Sequence, residues 1–236
     1  MKNKIYIILS FIFLFGCEEK EPTFFEKEFL GTNSDGTIFE NIVPNVYTGI
    51  PSSKRVLFLN ESFDNNSNNW DIRNTAQDYL NIENGSYVFQ NKTSSSKISA
   101  LTKVIDTQQN FEIETNINIT ATSNNNGNGI VWGYTNVTDY LFFCYSISAS
   151  QKLWIGYYQW NLYNPWQNWL QQNVNPIGSF NKLTIRKIEN TYYFFINEQF
   201  IISEPFEPFF GNLIGFKSEN YTTIYIDYLK IDYIKN

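Results

Sequence analysis

Apolar and polar residues alternate most clearly between residues 111 and 119. Large apolar side chains take every second place, with Thr115 among them, and glutamates and asparagines take the places between. Because successive side chains of a β-strand point to opposite faces, this pattern predicts a strand with one apolar face and one polar face. An apolar strand face has to be covered by another layer, so the pattern also predicts a second sheet.

Strand patterns of the same kind follow one another from residue 56 to the C-terminus. Aromatic residues make up 18% of the chain and methionine occurs once, a composition that favours strands over helices. Asn84 and Gly85 accept positive φ angles and separate two of these patterns, which predicts a tight hairpin. Many short strands in series predict a sandwich of two sheets. The predicted strands span residues 56–59, 79–82, 86–90, 97–105, 111–119, 130–134, 140–148, 153–160, 182–188, 192–196, 200–202, 212–217 and 222–233.

Residues 1–16 contain two lysines followed by an apolar run that only Ser10 interrupts. A run this short is typical of a secretory signal peptide, because crossing a bilayer takes about 20 apolar residues. The run ends in Leu14, Phe15, Gly16 and Cys17, and this sequence resembles a bacterial lipobox. The alternative is an ordinary signal peptide with an incidental cysteine, although the small residues that precede an ordinary cleavage site are missing.

The lipobox resemblance implies that Cys17 is acylated and becomes the first residue of the mature protein. Each buried methylene of a lipid chain contributes about 0.8 kcal/mol, so a bilayer is the expected partner of acylated Cys17. Charged residues at positions 18–21 resemble the export signals of surface lipoproteins, which implies the bacterial outer membrane, on its periplasmic or outer face. Residues 17–55 are expected to form a loop-rich linker, with an added strand at residues 37–42.

A series of short motifs follows in one order along residues 57–234. The motifs are Glu61-Ser62-Phe63-Asp64 with Trp70, Asn84-Gly85-Ser86-Tyr87, Phe111-Glu112-Ile113-Glu114, Gly129-Ile130-Val131-Trp132-Gly133, Asn181-Lys182-Leu183-Thr184-Ile185, Phe195-Ile196-Asn197 and Ile226-Asp227-Tyr228-Leu229-Lys230-Ile231. Their order resembles that of laminin-G-like domains of the concanavalin A-like lectin and glucanase superfamily. The resemblance implies an all-β jelly roll of two antiparallel sheets over residues 56–236. This superfamily contains lectins, hydrolases and interaction modules, so the fold does not select a function.

The chain contains no histidine, which excludes Ser-His-Asp and Cys-His nucleophile activation and the usual histidine-containing zinc sites. Cys144 is the one cysteine left when Cys17 carries lipid, so it has no partner for an internal disulfide. No basic residue adjoins it in the sequence to activate its thiol. Cys144 is therefore expected to be a small buried apolar residue.

Two glutamates of the central strand bear on a glycosidase hypothesis. Family 16 glycoside hydrolases share the superfamily and carry Glu-x-Asp-x-x-Glu, or a form one residue shorter, on one strand. Glu112 and Glu114 match the first two positions, with glutamate where the family has aspartate. The acid/base should then stand at Ile117 or Asn116, and neither side chain can supply it. We therefore expect no catalytic residues and interpret the two glutamates as a solvated strand face.

Aromatic and amide side chains are concentrated between Trp154 and Trp169. Aromatic rings flanked by amides suit the apolar faces and hydroxyl rims of sugars, whereas a place in the core is the alternative for any single ring. Alternation along residues 153–160 puts Trp154, Tyr158 and Trp160 on one face. We predict that residues 160–169 form a loop at a carbohydrate-binding site. The predicted binding residues are Trp154, Tyr158, Trp160, Tyr163, Trp166 and Trp169.

Asp64, Asp71 and Asp227 are oxygen ligands of the kind that calcium takes, but ordinary turn and edge positions explain them and no EF-hand spacing is present. We expect no cofactor and no metal-binding residues, with a structural calcium ion as the alternative. The formal net charge is −6 without a basic stripe, which argues against a nucleic-acid partner. The sequence thus predicts a membrane-anchored, non-catalytic module that binds carbohydrate at the cell envelope. A protein-interaction or structural envelope lipoprotein is the alternative, and a glycoside hydrolase is the third hypothesis.

Overall fold

The computed structural model of the chain describes residues 46–120, 126–136 and 138–235. A short 3-10 helix, Ser52–Lys54, precedes the first strand. Among the described residues no helix is long and apolar enough to span a bilayer. The strands are β1 Arg55–Glu61, β2 Arg73–Asn74, β3 Asp78–Glu83, β4 Ser86–Asn91, β5 Lys97–Thr102, β6 Asn110–Thr120, β7 Asn128–Tyr134, β8 Phe142–Ile147, β9 Leu153–Gln159, β10 Leu162–Leu170, β11 Phe180–Ile188, β12 Thr191–Ile196, β13 Gln199–Pro205, β14 Leu213–Ser218 and β15 Thr223–Ile234.

These strands form two antiparallel sheets, which confirms the predicted all-β sandwich. The nine-stranded sheet has the order β13-β12-β11-β6-β15-β4-β3-β2, and β1 pairs with the C-terminal part of β15. The six-stranded sheet has the order β10-β9-β8-β7-β14-β5. Neighbours in each sheet are often distant in sequence, as expected of a jelly roll. The central place of β6 in the larger sheet agrees with its strong alternation.

The hydrophobic core lies between the two sheets. From β6 it contains Phe111, Ile113 and Ile117, all fully buried, so the predicted apolar face is confirmed. Trp132 and Phe216 approach from the six-stranded sheet. Each sheet therefore buries its apolar face against the other sheet, and this burial is the main stabilising contribution to the sandwich.

The polar face of β6 differs from its prediction at one residue. Glu112 is 2% exposed, although alternation places it on the outer face of the nine-stranded sheet. Arg55 and Arg186 each bring a guanidinium nitrogen to 2.6 Å from its carboxylate, one on each oxygen. The interpretation of Glu112 as solvated is therefore wrong, because Arg186 from the adjacent β11 and Arg55 from β1, one strand further away, cover it.

The hairpin predicted at Asn84 and Gly85 is present between β3 and β4. Both residues have positive φ angles, 53° and 72°. The strands on either side pair in register from Glu83 with Ser86 onward. Two consecutive positive φ angles match the twist of the flanking strands, which explains why the sequence signal was correct.

Residues 46–50 contact the outer face of the nine-stranded sheet ahead of β1, and we call them the N-terminal strap. Arg186 donates to the carbonyl oxygens of Val46 and Thr48 at 2.5 and 2.7 Å. Arg55 donates through Nε to the carbonyl oxygen of Ile50 at 3.1 Å. Ile50 itself is buried. The sandwich therefore includes contacts from residues that precede the first strand.

Several predictions fall outside the described residues. They are the signal peptide at residues 1–16, the lipidation of Cys17, the linker up to residue 45 and the added strand at residues 37–42. Each of these stays a prediction from the sequence.

Candidate functional site

The aromatic segment predicted as a loop is a strand. Residues from Leu162 to Leu170 form β10, the edge strand of the six-stranded sheet, and β10 pairs with β9. Trp160 and Asn161 make the turn between the two strands with φ angles of 53° and 62°. The prediction of a loop was wrong. The segment lacks regular alternation, but its backbone hydrogen-bonding groups pair with those of β9, and this pairing makes it a strand. The register shifts twice along this pairing, which accounts for the irregular sequence pattern.

Close contact between β9 and β10 depends on Gly156. A Cβ atom at this position would collide with the carbonyl oxygen of Asn164 and with the Trp154 ring. Only glycine lets the two backbones approach this closely. The glycine therefore allows aromatic side chains of both strands to meet on one face of the sheet.

The six predicted binding residues do not share one surface. Trp166 faces the core, where its ring stacks on Phe143 at a centroid distance of 5.6 Å. Trp160 is 80% exposed at the tip of the hairpin. The other four, Trp154, Tyr158, Tyr163 and Trp169, lie at the outer face of the six-stranded sheet, where all but Tyr163 belong to or pack on a second hydrophobic cluster. The structure thus brings together four of the six and separates Trp160 and Trp166 from them.

A continuous series of rings covers the outer face of the six-stranded sheet, and we call it the outer-face strip. Its ring centroids follow one another at 4.8–6.1 Å, close enough for direct edge or stacked contact. Three of its members were predicted from the sequence, and the three that were missed come from the end of β7, the start of β8 and the turn between them. The strip consists of Tyr134, Tyr140, Phe142, Trp154, Tyr158 and Tyr163.

Tyr163 closes one end of the strip over a buried lysine. The Lys217 ammonium lies 4.9 Å from the centroid of the Tyr163 ring and pairs with Glu219. The Tyr163 hydroxyl donates to Glu219 Oε1 at 3.3 Å. Cys144 lies fully buried on the same face with its Sγ 2.8 Å from Ser146 Oγ, so the prediction of a buried cysteine is confirmed. Burial raises the pKa of the Cys144 thiol, which keeps it protonated.

An open pocket of about 620 Å³ adjoins the other end of the strip. This volume falls within the roughly 300–1,000 Å³ typical of ligand sites. Its apolar wall is made by Tyr134, Tyr140 and Ile98. Its polar wall comes from the turn between β2 and β3 and from the start of β5. The residues of this wall, all polar except Ala76, are Arg73, Thr75, Ala76, Gln77, Asp78, Ser96 and Lys97.

The polar wall is held in place by a bidentate ion pair. Arg73 donates to the two carboxylate oxygens of Asp78 at 2.9 and 2.7 Å, and Asp71 also pairs with Arg73. Thr75 donates its hydroxyl to Asp78 Oδ1 at 2.8 Å. The hydrogen bond from Arg73 lowers the pKa of Asp78, and the hydrogen bond to Asp78 raises the pKa of Arg73. Both groups therefore stay charged and fixed at neutral pH.

The hydroxyl of Tyr134 is a buried polar group with no hydrogen-bond partner among the described residues. Burial raises the pKa of Tyr134 to about 12, so the hydroxyl is protonated at neutral pH. Tyr140, its neighbour in the pocket wall, donates to Ser96 Oγ at 3.3 Å. An unpaired buried hydroxyl is costly and needs an explanation, and a ligand that accepts its proton would provide one.

Glu112 and Glu114 belong to β6, in the middle of the nine-stranded sheet, and do not line this pocket. Glu114 accepts a hydrogen bond from the Tyr228 hydroxyl at 2.7 Å and pairs with Lys182 at 2.8 Å. Glu112 is enclosed by its two arginines. Asn116, one candidate place for a third carboxylate, donates to Asp227 at 3.2 Å. The described side chains thus hold both glutamates in ion pairs.

The three aspartates proposed for calcium have separate partners. Asp64 accepts a hydrogen bond from Ser62 at 2.7 Å, Asp71 pairs with Arg73, and Asp227 accepts one from Asn116. In the part of the chain that the structure describes, no three His, Cys, Asp or Glu side chains are grouped so as to hold a metal ion. A structural calcium ion stays a prediction that a binding measurement has to test.

No protein-family model and no curated protein matches the sequence, but solved structures share the fold. The catalytic domain of an endo-1,3-β-glucanase (laminarinase) from Thermotoga petrophila has a TM-score of 0.53 and 12% identity, covering 77% of this chain and 99% of that one. Bacillus licheniformis β-glucanase has a TM-score of 0.52 and 12% identity, covering 79% and 100%. The carbohydrate recognition domain of Emp47p has a TM-score of 0.52 and 13% identity, covering 80% and 100%. At these identities the likeness shows the fold alone: the chain has the jelly-roll sandwich fold of these glucanases and of this recognition domain.

Proposed function

We propose that this protein is a membrane-anchored, non-catalytic module that binds carbohydrate in the pocket between Tyr134, Tyr140 and the Arg73 turn. The observation that carries the proposal is the pocket itself, in which two tyrosine rings face a wall of fixed polar groups. Pyranose rings have apolar C–H faces and a rim of hydroxyl groups. An aromatic wall opposite hydrogen-bonding side chains is suited to both parts of such a ring.

The outer-face strip supports binding of more than one sugar unit. Tyr140 belongs to both the pocket and the strip, so partly exposed rings continue from the pocket through Tyr158 to Tyr163. The Phe142 and Trp154 rings of the strip are buried. Tyr163 is 45% exposed, and its ring is available for contact with a ligand that extends out of the pocket. A direct part for the exposed Trp160 in binding stays a prediction. Carbohydrate recognition in the Emp47p domain, which has the same fold, supports this class of ligand.

The absence of catalysis is part of the proposal. Retaining glycosidases need one carboxyl as nucleophile and another about 5–5.5 Å away as acid/base. Glu112 forms ion pairs with Arg55 and Arg186. Glu114 forms an ion pair with Lys182 and accepts a hydrogen bond from Tyr228. The glucanases with the same fold make hydrolysis the second candidate. Incubation with laminarin and mixed-linkage β-glucan should release no reducing sugar, and release that depends on Glu112 or Glu114 would establish the enzyme instead.

Anchoring rests on the lipobox-like sequence ending in Cys17, and envelope localisation follows from it. Acylation by two or three chains holds a protein on a bilayer durably. In a bacterial host, the wild-type chain should therefore fractionate with outer membranes, and Cys17→Ser should not. Equal fractionation of both chains would mean that Cys17 carries no lipid.

The binding test uses the full-length chain in mild detergent and gels containing single polysaccharides, run with calcium and with a chelator. Retention by at least one polysaccharide is expected. Tyr140→Ala should weaken it about tenfold, because one stacked ring is removed from the pocket wall. The chelator arm shows directly whether calcium contributes.

Phe200→Ala is the matched control. Phe200 is an exposed aromatic residue of β13, at the edge of the nine-stranded sheet opposite to β2, and its loss should leave retention unchanged. If no polysaccharide retards the wild-type chain, carbohydrate binding fails and the protein-interaction alternative takes its place. Equal losses in both variants, without unfolding, would mean that the pocket is not the site.

A further inference from the structure

Two lysines flank the turn that forms the polar wall of the pocket. Lys97 lines the pocket and donates to Gln77 Oε1 at 2.8 Å. Lys92 donates to Asn74 Oδ1 at 2.7 Å and to the carbonyl oxygen of Thr75 at 3.0 Å. These partners are neutral, and within the described residues neither ammonium group forms an ion pair. The charge of both lysines is therefore not compensated by contact.

The remaining charges at the pocket nearly cancel. Arg73 is neutralised by Asp78 and Asp71, as described above. Among the described residues that line the pocket, only Arg73, Lys97 and Asp78 are charged, which leaves one positive charge in excess. Just outside the lining, Lys92 adds one positive charge and Asp71 one negative charge, so the excess stays at one. A local excess of positive charge is notable in a chain whose formal net charge is −6.

The polar groups of the pocket that still lack hydrogen-bond partners are mainly donors. The Tyr134 hydroxyl has no partner among the described residues, and Lys97 uses one of its three N–H groups on Gln77. An anionic group offers several acceptor lone pairs to such donors, and hydrogen bonds between charged partners are about twice as strong as neutral ones. A neutral hydroxyl would satisfy the Tyr134 proton but would bring no negative charge to Lys97, which interacts electrostatically with Asp78 without forming an ion pair with it.

From these contacts we infer that the pocket selects an acidic sugar unit, one that carries a carboxylate or a sulfate group. The anionic group accepts hydrogen bonds from Lys97 and Tyr134, and the apolar face of the sugar ring packs on Tyr140. Lys92 adds attraction at the rim. This inference rests on the proposed carbohydrate-binding function and names its ligand class. The overall acidity of the chain reduces the long-range attraction, so the preference comes from contact within the pocket.

The test compares polymers that differ in charge and share a backbone. Polygalacturonate is paired with its methyl-esterified form, and a sulfated galactan with its desulfated product. Affinity electrophoresis of the full-length chain in detergent should show binding to at least one acidic polymer about tenfold tighter than to its neutral partner. Rising salt should weaken binding to the acidic polymer and leave the neutral one unaffected. Comparison of the polygalacturonate pair with the sulfated galactan pair identifies whether the pocket prefers a carboxylate or a sulfate group.

Two conservative substitutions test the donors. Lys97→Gln should remove the preference for the acidic polymer, so that the acidic polymer and its neutral partner bind with equal affinity. Tyr134→Phe keeps the ring and removes the hydroxyl, and should reduce binding to the acidic polymer several-fold. Lys235→Gln removes an exposed positive charge at the C-terminal end and serves as the control with no expected effect.

The outcomes separate this inference from the function on which it rests. Equal affinity for charged and neutral members of both pairs overturns the acidic preference and leaves carbohydrate binding in place. A preference that survives Lys97→Gln also overturns the inference, because the charge then acts elsewhere. No binding to any of the four polymers, together with no retention in the wider panel, overturns both.

Discussion

Glu112 lies between two arginine side chains on the outer face of the nine-stranded sheet. Each carboxylate oxygen is 2.6 Å from a guanidinium nitrogen, and the Glu112 and Arg186 side chains are 1% and 5% exposed. Ions buried this deeply lose much of their hydration, so their partners have to replace it. The charges of Glu112 and Arg186 therefore favour the folded state only while the ion pairs of Glu112 with both arginines are formed.

Glu112→Gln should lower the free energy of unfolding by about 3 kcal/mol, because it leaves the Arg186 charge buried without its counter-ion. Urea unfolding followed by tryptophan fluorescence measures the change. The control is Glu198→Gln, since Glu198 pairs with Lys182 but is 79% exposed. Loss of an exposed pair costs less than about 1 kcal/mol. Equal losses in the two variants would mean that burial does not strengthen the Glu112 network.

Asp78 makes stability depend on pH through its ion pair with Arg73. The hydrogen bond from Arg73 lowers the pKa of Asp78 in the folded state. A carboxyl with a lowered folded pKa contributes stability above its unfolded pKa of about 3.9, and the contribution is lost as the pH falls through the folded pKa. Asp78→Asn should therefore be less stable than wild type at neutral pH, with the difference shrinking below about pH 4.

Unfolding free energies of the two chains across this pH range check the prediction. Arg73→Gln should reproduce the same pH-dependent loss, because it removes the other half of the pair. Combining the two substitutions should add little beyond either one. A gap between wild type and Asp78→Asn that stays constant on acidification would show that the pair has no effect on the Asp78 carboxyl.

The pocket residues illustrate what alternation along the chain leaves undetermined. Alternation assigns each side chain to a face of its own strand, and it correctly assigned Trp154 and Tyr158 to the outer face of β9. It does not determine which distant turn packs beside that face. Lys97 shares a sheet with Tyr134 only through the pairing of β5 with β14 and of β14 with β7. Arg73 comes from β2 of the other sheet, and no local pattern encodes this arrangement. The pocket was therefore missed, although the surrounding strands were predicted.

At the level of single elements, a hairpin with a strong turn signal was predicted, and one without such a signal was missed. Asn84-Gly85 supplies two residues that tolerate positive φ, and the β3–β4 hairpin follows from them. The β9–β10 hairpin uses Trp160 and Asn161 at the same turn positions. A tryptophan with positive φ is uncommon and strained, so the sequence gives no sign of this turn. That is the physical reason why β10 was predicted as a loop.

Gly85→Ala tests how much the turn conformation contributes to the stability of the β3–β4 hairpin. Gly85 has a φ of +72°, and nothing lies within 4 Å of an added Cβ, so the cost comes from the backbone alone. We expect the free energy of unfolding to fall by about 1 kcal/mol. Gly49→Ala is the matched control, because Gly49 also has open space around it and does not have positive φ. If Gly85→Ala lowers the free energy of unfolding no more than Gly49→Ala does, the positive φ at position 85 costs nothing when a side chain is present.

At the scale of the whole sandwich, the two sheets have different outer surfaces. The nine-stranded sheet has an outer face of ion pairs, crossed by the N-terminal strap. The six-stranded sheet has the aromatic strip, and the pocket opens where this strip meets the edge formed by β2 and β3. Charged and aromatic surfaces are thus separated on opposite sides of one core. None of the residues that line the pocket belongs to the N-terminal strap.

The N-terminal strap predicts where a stable fragment of this chain has to begin. The sequence suggested a domain that starts at residue 56, yet Arg186 donates to two strap carbonyls and Arg55 pairs with Glu112. A fragment of residues 56–236 lacks these partners and leaves Arg186 and Glu112 incompletely paired in a buried place. We expect it to unfold at a temperature on the order of 10 °C below that of a fragment of residues 43–236, since the lost network is worth about 3 kcal/mol. Restoring only Arg55, in residues 55–236, should recover part of the difference, because Arg55 pairs with both Glu112 and Asp232. Calorimetry of the three fragments measures these steps, and equal transition temperatures would mean that the strap rests on the sheet without stabilising it.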